Sequence, residues 1–169
     1  MFVFFFAGCK KGDKTPSNPI DQLPPATQTG ANTLGCLIDG KLSSVNGKSY
    51  FGHETGVDFL AVLNSAWYLK GKVGYQGIYI NFDYNANPGV PKTFEVSNNY
   101  PAGAEHFNPT DGNTAITGGN DFKTDSVHKG ALNLLYYDGK IASGTFSFDS
   151  ANDAGTVIHI TDGRFDVSL

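Results

Sequence analysis

From residue 57 onward, apolar and β-branched side chains recur at every second position in short runs, and Asp-Gly dipeptides separate several of them. Ile78, Ile80 and Phe82 alternate with Tyr79, Asn81 and Asp83. Successive residues of a strand point to opposite faces, so this pattern predicts one core face and one wet face. Similar runs occupy 57–63, 66–73, 77–84, 93–97, 130–137, 141–148, 156–161 and 164–168. Asp39-Gly40, Asp138-Gly139 and Asp162-Gly163 each supply residues that tolerate the two positive φ values of a type I′ hairpin turn. The expectation is an all-β fold: a single antiparallel β-sandwich or flattened barrel of about eight to ten strands. No amphipathic helical period is present. The stretch 98–125, with two prolines and a Gly-Gly pair, is too long for a structureless loop. Short edge strands near 114–117 and 121–124 are expected to divide it. Composition agrees: the 169 residues include 21 Gly, 13 Phe and 8 Tyr, and only 17% are charged.

Twelve Lys and Arg against sixteen Asp and Glu leave a formal net charge of −4, which argues against a nucleic-acid partner, since phosphates call for a basic face. The two ends of the chain differ in kind. Residues 1–8 carry no polar side chain and run directly into Cys9. They are far too short to span a bilayer as a helix, which takes about 20 residues, and have the character of the end of a secretory signal. Phe6-Ala7-Gly8-Cys9 resembles the lipobox of bacterial lipoproteins. That resemblance implies cleavage before Cys9 and diacylglycerol on its sulfur, with the membrane as partner through the acyl chains. No basic segment precedes the apolar run, so the natural start is expected upstream of Met1. Residues 10–29 are polar and hold Pro16, Pro19, Pro24 and Pro25, a composition that reads as an extended spacer. The resulting organisation is 1–8 as a signal-peptide remnant, 9–29 as lipidated Cys and Pro-rich linker, and 30–169 as the β domain. Two or more acyl chains anchor firmly where one is marginal.

Chemistry is sparse. His53, His106, His128 and His159 show no metal-ligand spacing, and no metal or other cofactor is expected. His159, between Ile158 and Ile160, falls on an outward face. Asp111-Gly112-Asn113 begins like a calcium loop, but Ala115 and the missing closing Glu read as an incidental turn, with Asp121 and Asp125 as remaining oxygen donors. Gly-x-Ser-x-Gly, Ser-x-x-Lys and His-Glu-x-x-His do not occur, so no catalytic residue is assigned. Glu54, Asp58, Asp83, Glu95 and Glu105 are the carboxylates from which a small envelope hydrolase would draw a pair. Cys36, within Leu34-Gly35-Cys36-Leu37-Ile38, reads as a core thiol. Trp67 and Tyr68 are neighbours, so one of them faces outward. Tyr68, Tyr79 and one of Tyr136 or Tyr137, with Tyr137 taken as the outward one, make a candidate ligand face, because stacked aromatics hold sugar rings, although half-buried strand tyrosines more often serve sheet packing.

The segments Leu23-Pro-Pro-Ala-Thr-Gln-Thr-Gly-Ala-Asn-Thr-Leu-Gly-Cys-Leu-Ile-Asp-Gly-Lys41, Ser143-Gly-Thr-Phe-Ser-Phe148 and Ile160-Thr-Asp-Gly-Arg-Phe-Asp166 resemble the two ends of a family of small Bacteroidota lipoproteins. The resemblance covers both edges of the domain and little of 43–120. It implies a lipid-anchored, exported β domain, most simply at the outer membrane, and carries no catalytic residue. The expected role is non-enzymatic, binding or structural, with a glycan, a small apolar ligand or an envelope protein as partner. The alternative is the small hydrolase.

Overall fold

A computed structural model describes residues 18–47, 56–62, 66–73, 76–83, 89–97, 103–107 and 121–169. Among them the fold is all-β, as the alternation predicts. Eleven strands are described: β1 (Thr33–Ile38), β2 (Lys41–Asn46), β3 (Gly56–Val62), β4 (Ala66–Val73), β5 (Gln76–Asp83), β6 (Lys92–Val96), β7 (Gly103–Phe107), β8 (Asp121–Lys123), β9 (Gly130–Tyr137), β10 (Ile141–Ala151) and β11 (Val157–Ser168). The helical content described is one 3-10 turn, Pro19–Gln22, whose Ile20 N–H donates to the Asn18 side chain and whose Asp21 N–H donates to the Asn18 carbonyl.

Every pairing is antiparallel. One layer runs β6-β9-β10-β11-β1-β2 and the other β8-β7-β5-β4-β3. The pair Ala151↔Lys123 stitches them where the long β10 outruns β9. The path then folds back on itself: β3 and β4 come against β2, β3 against β11, and β5 against β6. Leu69, Ile78 and Ile80 from the second layer therefore share a single core with Leu34, Cys36, Val96, Leu132, Phe146, Phe148, Ile160 and Phe165 from the first. This is the sandwich or flattened barrel that the alternating runs predict, with eleven described strands against the eight to ten expected. Strand β7 falls in the stretch where only short edge strands near 114–117 and 121–124 are expected; β8 matches the second, and 114–117 lies outside the described residues.

The Asp-Gly signals divide. Asp39 (φ +48°) and Gly40 (φ +75°) make the expected turn between β1 and β2. At Asp138-Gly139 only Gly139 is left-handed; the Asp138 carboxylate instead accepts from the N–H groups of Lys140 and Ile141. Asp162-Gly163 is not a turn. It lies inside the twelve-residue β11 as a bulge, where one extra residue of β11 faces both β10 and β1. Asp162 takes φ +54°, and Gly163 presses on Phe146 so closely that a Cβ there would stand 2.4 Å from the Phe146 carbonyl oxygen. A bulge and a hairpin both need a left-handed residue, so the dipeptide alone does not separate them.

Candidate functional site

The bulge divides the outer face of β10 and β11 into two ends, with Asp166 at one and the pair Asp149 and His159 at the other. At the first end, Phe165 and Val167 enter the core while Arg164, Asp166 and Ser168 point outward. Asp166 is nonetheless only 1% exposed, because residues 23–30 cross over it. Its Oδ2 accepts from Thr27 Oγ1, from the Thr29 N–H (2.9 Å) and from Thr29 Oγ1 (3.1 Å), and its Oδ1 accepts from the Gly30 N–H (2.8 Å). Burial pushes this carboxyl up, but hydrogen bonds from Thr27, Thr29, Gly30 and Ala31 outweigh it and hold the group below the ordinary carboxylate range. The crossing segment fits because the sheet is small beneath it: the Pro24 ring lies on Gly35, where a Cβ would stand 2.5 Å from Pro24 Cδ. Leu23 is buried, and Arg164 Nη1 reaches the Pro24 carbonyl at 3.4 Å. Asn32 (φ +55°) turns the crossing segment into β1; its Oδ1 accepts from Ser168 N–H and Oγ at 3.0 Å each, and its Nδ2 donates to the Gly30 carbonyl. Composition reads 9–29 as spacer, yet from Asn18 onward the chain lies on the domain.

At the other end no strap crosses among the described residues. Asp149 and His159 are register partners across β10 and β11, with Oδ1 and Nδ1 2.7 Å apart and both side chains about half exposed. The Asp149 hydrogen bond and charge raise the His159 pKa, with a further contribution from Asp39, whose carboxylate accepts from the His159 N–H at 2.9 Å. A second pair closes the turn before β9: Asp125 accepts from the N–H groups of His128 and Val127 and meets the His128 ring at 2.8 Å. The backbone N–H of His128, then its ring, bring Asp125 down to about 2. In each pair the imidazole Nδ1 faces an aspartate carboxylate, so the carboxylate orients the ring. No group of three or more His, Cys, Asp or Glu suited to a metal ion occurs among the described residues. Between the two ends a polar row crosses the face: Thr93 donates to Asn133 at 2.7 Å, Asn133 to Thr145 at 3.3 Å, and Arg164 is the next register partner.

The residues singled out by sequence fare differently. Cys9, His53, Glu54 and 111–113 lie outside the described residues. Tyr68 and Tyr79 occupy diagonal positions of the β4–β5 ladder, alternating with buried Leu69, Ile78 and Ile80; their side chains are not among those described, nor are those of Asp58, Asp83, Glu105 and His106. The outward position expected of Tyr137 belongs to Tyr136. A bulge at Leu135 shifts the register, so that Tyr136 pairs with Ser143 and donates to Asp138 at 3.0 Å while Tyr137 packs on the core. Glu95 is exposed and meets Lys129 at 3.3 Å, an ion pair rather than half of an acid pair. Cys36 is fully buried and its thiol is pushed up to about 12 by desolvation, which leaves it without nucleophilic character near neutral pH. Asp166 and the strap over it were missed by spacing and motif alike. The one available signal was an acid in an alternating run opposite Thr27-Gln28-Thr29-Gly30, a segment with unused donors. No helix among the described residues is long and apolar enough to cross a membrane. No family model, no curated protein and no solved structure matches the chain.

Proposed function

We propose that this chain is an exported lipoprotein of the cell envelope, anchored by acyl chains on Cys9, whose β domain has a binding or structural role and no reaction of its own. The observation that carries the reading is Phe6-Ala7-Gly8-Cys9 followed directly by a polar, proline-rich stretch. Small residues before the cysteine suit a signal peptidase, and a thiol is the nucleophile that accepts the lipid. The family resemblance at the two edges of the domain points the same way, to the outer membrane. The titratable pairs add to it: each is accounted for by a turn or a cross-strand contact. Expression from the natural start in a Gram-negative host tests the proposal. The native chain is expected in the membrane fraction and Cys9→Ala in the soluble fraction; identical fractionation of the two would refute the anchor.

A second reading, recognition of a glycan by the outer face, draws on the row Thr93, Asn133, Thr145 and Arg164, a line of hydroxyl, amide and guanidinium groups open beside Tyr136. Loss of glycan-array signal in Asn133→Ala, with the fold intact, is its expected signature. An array that is blank for the native protein would remove it.

A further inference from the structure

We infer that residues 23–32 are a latch that fixes how far the domain can stand from its anchor. The inference rests on the lipid attachment at Cys9 proposed above. A polar spacer is usually read by its whole length, but here the last third is not free. Asp166 holds it through Thr27, Thr29 and Gly30, the Pro24 ring is seated on Gly35, and Asn32 locks its exit to Ser168. None of residues 23–32 belongs to a strand; the β1 ladder begins at Thr33. The strap is therefore separable from the sheet up to Asn32, whose carbonyl accepts from the Gly47 N–H: residues 23–31 can lift without breaking the ladder that carries the core.

Its release changes the geometry of the tether. Nine residues lead from Cys9 to Asn18, where the chain comes onto the domain, and twenty-three from Cys9 to Asn32. A fully extended chain spans at most about 3.5 Å per residue, so the docked domain reaches about 30 Å from the anchor and the undocked one about 80 Å. Docking also fixes where the tether leaves the domain, at the 3-10 turn beside β2. The latch thus confines the domain to the near zone of the membrane and fixes the side from which it is tethered, and a pull strong enough to break the Asp166 contacts extends its range.

The test uses the lipidated full chain in phosphatidylethanolamine–phosphatidylglycerol vesicles, with a donor dye at Ala154→Cys and an acceptor lipid. Ala154 is exposed in the turn before β11, and the buried Cys36 stays unlabelled. Two variants open the latch: Asp166→Asn, which sets an amide N–H against the strap's own donors, and the double variant Thr27→Val/Thr29→Val, which removes two hydroxyl bonds and leaves the sheet untouched. Hydrogen exchange is expected to show the Thr29 and Gly30 amides losing roughly tenfold or more of their protection. Phe165 and Val167 stay protected, and energy transfer to the membrane falls. Strap amides that exchange in the native chain as fast as in the double variant would overturn the latch. Released amides with unchanged transfer would overturn its control of reach. An unmodified Cys9 by intact mass would instead overturn the anchor, and the reach with it, while the exchange result still reports on the strap.

Discussion

Two carboxylates on the outer face of the same strand pair, Asp166 and Asp149, have opposite fates. Asp166 is 1% exposed and takes its hydrogen bonds from a strap that arrives more than 130 residues earlier in the chain. Asp149 is about half exposed and takes its partner, His159, from the strand beside it. Both stand at outward positions of regular antiparallel ladders, and the face itself does not distinguish them. The roof does. Under the strap a charge becomes part of the fold, because removing its donors leaves a buried carboxylate uncompensated. In the open, the same group tunes a neighbour's titration and contributes little to stability. The bulge at Thr161 and Asp162 sits between them and re-aims the strand.

The largest effect is expected from erasing that division. Gly163→Val places a side chain against the Phe146 carbonyl and ring, where neither backbone nor packed aromatic can yield, and should cost about 3 kcal/mol or more in chemical denaturation. Asp166→Asn comes next, at about 2–3 kcal/mol, from the unmet donors of Thr29 and Gly30. The matched change Asp149→Asn should leave the denaturation midpoint where it is. An Asp149 variant as destabilised as the Asp166 variant would break the comparison.

The pH dependences should run in opposite directions. The folded pKa of Asp166 is depressed, so its stabilisation is fully present above its unfolded value, about 3.9, and is lost as pH falls through the lower folded value. Acid unfolding of the native chain should therefore be steeper below pH about 4 than that of Asp166→Asn. The folded pKa of His159 is raised, so its small contribution is present below its unfolded value, about 6.5, and fades as pH rises through the folded one. The smallest and cleanest effect is on that ring: in Asp149→Asn the His159 proton resonances should titrate at lower pH than in the native chain. An unchanged titration would mean that Asp149 does not hold the imidazole.

What could be read from the sequence follows from the same contrast. Alternation in 77–84, 130–137 and 141–148 states which side chains face the core, and the core of Ile78, Ile80, Leu132, Leu134, Phe146 and Phe148 follows it residue by residue. His159 was legible for that reason: its neighbours Ile158 and Ile160 are buried and it is not. The strap was not, because proline-rich composition says only that a segment is extended, and an extended segment packs or floats according to what lies beneath it. Gly35, which admits Pro24, reads as one small residue in an apolar run. Asp162-Gly163 misled for a related reason: left-handed φ serves a bulge as well as a hairpin. Tyr137 was misassigned because one extra residue at Leu135 inverts which of two adjacent tyrosines faces out.

The central claim is that this sandwich is a tethered domain, and the intact mass of the chain, expressed from its natural start and purified from membranes in mild detergent, tests it most directly. The account predicts a mature protein that begins at Cys9 and carries the added mass of diacylglycerol. A chain that retains residues 1–8 with an unmodified Cys9 would contradict it.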